Sequence, residues 1–258
     1  MNEEGFISLN DIGTQIDTIV NSLQVKYRNF SEISRREKVV IDLYSRIKFN
    51  LVAITCIPKE DWAATPLHLL YRSIIADVLE ITYLFHISEK EAIFCIDKDN
   101  LKAIKYAKDF LNLQFEFFRK YASHESTKQM PPTDELLGRF VKHFPTYINK
   151  KGDWQWDVKK INEINDTVSD YKGTISSIGE HFKKENIDSE LQPIQYLFSL
   201  YRILSQTEHY SEIGRKFSYN TDNGYEKMHI RMIHSLIYYA NTLILKKVDS
   251  ANSTIKII

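Results

Sequence analysis

The sequence predicts an all-α protein, a bundle of long packed helices with smaller helical insertions, on three observations. Only 8 Gly and 6 Pro interrupt 258 residues, too few breakers for many strands and tight turns. Apolar residues recur at spacings of three and four, the period of a helix face. No alternating run of strand length and no glycine-rich phosphate loop occurs. Hydrophobic residues make up 43% and charged residues 26%, the balance of a soluble globular chain. The length suits one domain with a real core, spanning 1–258 with an insertion subregion at 123–188.

The elements follow in order. Ser8 to Leu23 places Ile12, Ile16, Ile19 and Leu23 on one buried face. Ser31 and Glu32 lead into a long helix with Val39, Val40, Leu43, Ile47 and Leu51 on one side, stopping near Pro58. Thr65 and Pro66 supply an N-cap and a proline at the first helical position, and the helix they open runs to about His86. Ser88 and Glu91 have capping-box spacing for a short helix that the "DKDN" turn ends. Another helix spans Asn100 to about Tyr121. "SHESTKQMPPT", from Ser123 to Thr133, reads as a loop. A helix capped at Thr133 and two shorter segments, near Val158–Ile164 and Thr174–Lys184, come next. Ser189 opens a helix to about Ser211, and a last long helix runs from Tyr225 to about Lys247.

Composition excludes several classes. Lys and Arg total 34, and so do Asp and Glu. That balance argues against a chain that coats nucleic acid or an anionic membrane, while leaving room for a local basic cleft. No run approaches the roughly 18 apolar residues of a membrane span, and the start, "MNEEGFISLND", lacks the order of a signal peptide. A cytoplasmic protein without a membrane partner is expected. Cys56 and Cys95, each in apolar surroundings, are expected as buried free thiols. The eight histidines show no ligand spacing, so neither a metal nor a cofactor is expected.

The informative stretch is "YLFSLYRILSQTEHYS". On a helical wheel, Gln195, Ser199, Arg202, Gln206 and His209 fall within about a quarter-turn, with Ser205 at the edge. Tyr196, Leu197, Leu200, Ile203 and Leu204 lie opposite. A solvated face is normally filled with Lys and Glu, whereas this one holds amides, hydroxyls, one Arg and one His. Arg202 and His209 are two turns apart and can address one spot. The planar guanidinium holds a phosphate; the imidazole takes or gives a proton near neutral pH. On the preceding long helix, a buried Arg72 needs a carboxylate, from Glu80 or Glu208. Alternatively, it joins Arg202 in lining one anionic pocket.

Arg, six intervening residues and His on a late helix of an all-α chain resembles the HEPN superfamily. The resemblance implies a helical bundle, often a homodimer, whose paired Arg–His motifs form a metal-independent ribonuclease site. Such proteins occur in toxin–antitoxin and anti-phage systems, which would make RNA the substrate and an antitoxin a partner. "YRILSQTEHYS", together with "LLYRSIIADVLEITYLF", is also similar to an uncharacterised bacterial helical family that pairs an Arg-Ser helix with a Tyr-Arg-x-Leu-Ser…His helix. The residues carried over are Arg202 and His209, as catalytic groups. Arg72, Gln195, Ser205 and Gln206 are the expected substrate-binding set around them. Ile203 stands where the better-known nucleases often have a polar residue. The rival expectation is a non-catalytic helical sensor or adaptor whose polar stripe binds a partner protein or a small ligand.

Overall fold

Seven helices make up nearly all of the described residues, and no strand occurs among them. The structure, a computed structural model, describes residues 7–28, 33–57, 64–121, 142, 175–184, 192–208 and 223–255. The helices are α1 (Leu9–Arg28), α2 (Arg35–Cys56), α3 (Ala64–His86), α4 (Glu89–Tyr121), α5 (Ile175–Lys184), α6 (Gln192–Glu208) and α7 (Asn223–Ile255). The expected loop at 123–133, the helix capped at Thr133 (apart from Lys142) and the segment at 158–164 lie outside the described residues. The chain divides into two compact units, one formed by Met1–Ile93 with Tyr171–Ile258 and the other by Phe94–Asp170. The change of unit falls inside α4, well before the insertion subregion expected at 123–188.

Local chemistry sets the helix ends. At α1, the Ser8 amide donates to Asp11 Oδ2 at 2.7 Å and the Asp11 amide donates to Ser8 Oγ at 3.3 Å. Helix α2 starts later than Ser31 because Ser34 and Glu37 form a reciprocal capping box. The Glu37 amide donates to Ser34 Oγ at 3.2 Å, and the Ser34 amide to Glu37 Oε2 at 3.1 Å. Two orphan amides are thereby satisfied at once. The helix ends at Ile57, which is extended (φ −83°, ψ 128°), as a residue before proline must be.

Helix α3 begins at Ala64, so Thr65 and Pro66 sit inside its first turn rather than capping it. Pro193 likewise occupies the first turn of α6, where no amide partner is required. The Ser88–Glu91 box is present, with the Ser88 amide donating to Glu91 Oε2 at 3.0 Å. The helix it opens does not stop at "DKDN". It runs through as one 33-residue helix, since those four residues include neither Gly nor Pro and cost only tenths of a kcal/mol each in a helix.

In the first unit, α1 packs on α2, α2 on α3, α3 on α7, and α7 back on α1, closing a four-helix ring. Helix α6 lies against α3 and α7, and α5 lies against α3 and α6. Helix α3 is thus the hub, which explains why it is the most apolar helix: Ile74, Ile75, Val78, Leu79, Ile81 and Phe85 are fully buried. The α1 face read from sequence is buried as a set, at Ile12, Ile16, Ile19 and Leu23. Gly179 marks the tightest approach of α5 to α6: a Cβ there would run into the buried Phe198 ring.

The bundle interior also holds polar groups that pair with one another across helices. Tyr44 Oη donates to Asn241 Oδ1 at 2.5 Å, and Asn241 Nδ2 reaches the Gln15 carbonyl at 3.4 Å. Burial pushes the Tyr44 hydroxyl far above the ordinary tyrosine range. Asp77, 1% exposed, receives a two-pronged ion pair from Arg46 of α2, with Arg46 Nε at 2.8 Å. Burial raises the Asp77 carboxyl, and the Arg46 guanidinium partly offsets that rise. Cys95 is buried as expected; Cys56 is exposed. The reason is helical phase. Cys56 continues the outward line of Phe49 and Val52, which are 73% and 62% exposed, whereas the buried side of α2 runs through Ile47, Leu51 and Ile54.

Candidate functional site: the outer stripe of α6

Helix α6 buries Ile194, Leu197, Phe198, Leu200 and Leu204. The same phase turns Gln195, Ser199 and Arg202 outward, all exposed, with Ser205 half-buried at the edge. This is the polar stripe expected from sequence, on the side of α6 away from its buried contacts. Ile203 departs from expectation: it is 44% exposed rather than part of the apolar face. The buried arc centres between Leu197 and Tyr201, and at about 100° per residue Ile203 falls beyond its edge. Arg202 is therefore followed by an exposed apolar residue on an outward side that also carries Gln195 and Ser199.

The hydroxyls of the stripe are tied locally. Ser199 Oγ donates to the Gln195 carbonyl at 3.0 Å, and Ser205 Oγ to the Tyr201 carbonyl at 2.9 Å. Each spends its proton on its own helix, so towards a ligand each offers lone pairs only. The α6 helix is described through Glu208; His209 and the Gln206 side chain lie outside the described residues.

Arg72 is placed by α3 against α6. Its Nη2 donates to Tyr201 Oη at 3.3 Å, and its guanidinium carbon lies 5.1 Å from the centre of the Tyr201 ring. Hydrogen bond and ring face together hold a half-buried guanidinium beside the residue that precedes Arg202. Tyr201 points about 100° around the helix from Arg202, so Arg72 meets the packed side of α6 and Arg202 its outer side. One turn before Arg72 on α3 stands His68. It is half-buried, its Nδ1 lacks a hydrogen-bond partner, and burial lowers its pKa, favouring the neutral imidazole.

Sequence reasoning missed two pairings here, Tyr201 with Arg72 and Asp77 with Arg46. In both, the partners come from different helices, and no spacing rule links residues so far apart. A weak signal for the second did exist: Asp77 is one of only three formal charges on α3, and a buried carboxylate demands a cation.

Fold and stripe together define a class: an all-α protein, bundled around a buried central helix, that among the described residues of its outer stripe displays one arginine beside amide and hydroxyl groups. No protein-family model, curated protein or solved structure matches the chain. Among the described residues no helix is long and apolar enough to cross a membrane.

Proposed function

We propose that the protein is a metal-independent endoribonuclease of the toxin or anti-phage type, acting through Arg202 and His209. The observation that carries this reading is the exposure of Arg202 on a face whose described neighbours are neutral hydrogen-bonding groups. A guanidinium engaged in the core would be closed to a phosphodiester; this one is open to it. In the reaction, the ribose 2′-hydroxyl attacks the adjacent phosphorus and gives its proton to His209. The bond to the 5′-oxygen breaks, and that oxygen takes up a proton from water, leaving a 2′,3′-cyclic phosphate and a 5′-hydroxyl. Arg202 offsets the charge that builds on the non-bridging oxygens. Gln195 and Gln206 supply amide contacts, Ser205 accepts, and Arg72 adds positive potential from the far side of Tyr201.

The test is RNA cleavage by purified protein in EDTA, with the product ends identified. Arg202→Ala and His209→Ala are each expected to lower the rate by about 10²-fold or more. Full activity in both variants rejects the reading.

A second reading is favoured by one observation, the 44% exposure of Ile203 beside Arg202. An exposed aliphatic residue next to an arginine and amides is the make-up of a protein-docking face. On that reading the chain is a non-catalytic adaptor. No RNA is cut, and substitutions at Gln195, Arg202 or Gln206 abolish capture of the partner.

A further inference from the structure

At the end of the first unit where α2 begins and α3 ends, a guanidinium is buried without its full set of acceptors. The Arg36 side chain is 9% exposed, and neither its Nε nor its Nη1 has a hydrogen-bond partner. The centre of the Phe85 ring lies 4.5 Å from its guanidinium carbon. A ring face offsets the charge but gives the N–H groups no oxygen lone pair. A buried donor left open costs stability until an acceptor comes to it. Side chains on a helix tilt toward its N-terminus, so this one lies where the dipole of α2 is positive.

Four charged groups gather there. The Lys247 ammonium of α7 donates to the Ile87 carbonyl at 2.8 Å. Burial first, and then the nearby Arg36 charge, hold it below the ordinary lysine range, while Glu89 and Glu91 act the other way. Glu91 is committed to the cap of α4, accepting from the Ser88 amide at 3.0 Å and the Ser88 hydroxyl at 2.7 Å. Glu89 comes within 3.9 Å of Arg36 Nη2, too far for a hydrogen bond, and its side chain is 54% exposed. A carboxylate that fits an arginine bonds it outright, as Asp77 does with Arg46 Nε at 2.8 Å. Glu89 does not.

We infer that Arg36 is the floor of a site for a phosphate-type oxyanion, inorganic or carried by a nucleotide, and that Glu89 is its gate. On binding, Glu89 swings into water and the oxyanion takes its place, setting two oxygens against the guanidinium fork beside Nη2. Lys247 and the first turn of α2 add positive potential. No residue of α6 takes part, and the site stands or falls separately from RNA cleavage.

A ³¹P NMR titration of the full chain with inorganic phosphate, and separately with adenosine 5′-monophosphate, tests it, with chloride holding the ionic strength constant. The wild type is expected to bind with a dissociation constant on the order of millimolar or tighter. Equal affinities assign the site to the phosphate group alone; a nucleotide bound about tenfold tighter or more assigns it to a nucleotide. Glu89→Gln is expected to tighten binding about tenfold, because it removes a competing charge. Arg36→Gln is expected to abolish binding with an unchanged circular dichroism spectrum. Where Arg36→Gln does not fold, Glu89→Gln decides, since a gain in affinity cannot come from unfolding. No saturable binding below about 20 mM, binding that survives Arg36→Gln, or an affinity unchanged or weakened in Glu89→Gln would each overturn the inference. The last result would make Glu89 a structural partner of Arg36.

Discussion

Helix α3 and the outer stripe of α6 both carry arginine and other polar groups, and the two treat them in opposite ways. On α3 three of the polar groups are held by the fold. Asp77 is held by Arg46, Arg72 by Tyr201, and the Thr82 hydroxyl donates to the Val78 carbonyl at 2.7 Å. On the stripe, Gln195, Ser199 and Arg202 face outward. Enclosed groups are committed to the fold, because removing one partner leaves the other without water or a bond. Outward groups contribute little to stability, so a functional loss on changing them is interpretable.

The comparison breaks first at Arg46. Arg46→Ala is expected to cost about 3 kcal/mol in urea unfolding, because it strands the buried Asp77 carboxylate. The figure is at the low end of such losses because the Arg46 side chain is itself 56% exposed. Asp77→Asn should cost less, since it leaves no charge in the core and Arg46 can turn to water. Equal costs would remove the distinction between enclosed and open partners.

A smaller effect lies at His68. Its folded-state pKa is held below the ordinary 6.5 by burial, so the unfolded chain takes up a proton first on acidification. Stability from this group is complete above about pH 6.5 and is lost as pH falls through that value. His68→Gln should flatten the decline in unfolding free energy between about pH 7 and pH 5. Parallel wild-type and variant curves would show that His68 is as well hydrated as in the unfolded chain.

The smallest effect is expected at Arg202. Arg202→Ala should change stability by no more than about 0.5 kcal/mol, while RNA cleavage falls as proposed above. A large loss of stability would place Arg202 with the enclosed group and remove the basis for assigning it a phosphate.

Much of the fold was legible because helical periodicity is a local signal. The α1 face, the end of α3 at His86 and the capping box at Ser88 each follow from residues within a few turns of one another. The misreadings have one cause. A lead-in at Ser31 and a stop at "DKDN" were expected, but a helix begins where two orphan amides are satisfied together, as at Ser34, and it continues wherever nothing breaks the ladder. The candidate stripe was legible as a phase relation among Gln195, Ser199 and Arg202. That Ile203 would be exposed was not, because the edge of a buried arc depends on which neighbouring helices cover it.

By itself, the sequence determined that the chain is helical, roughly where the helices lie, and which residues share the polar side of α6. These depend on spacing along one segment, where physics acts over three and four residues. Only the tertiary structure decided that α3 is the hub, that Arg46 finds Asp77, and that Tyr201 receives Arg72. Those outcomes turn on which helix packs against which, and burial is a property of the assembled neighbours rather than of any one segment.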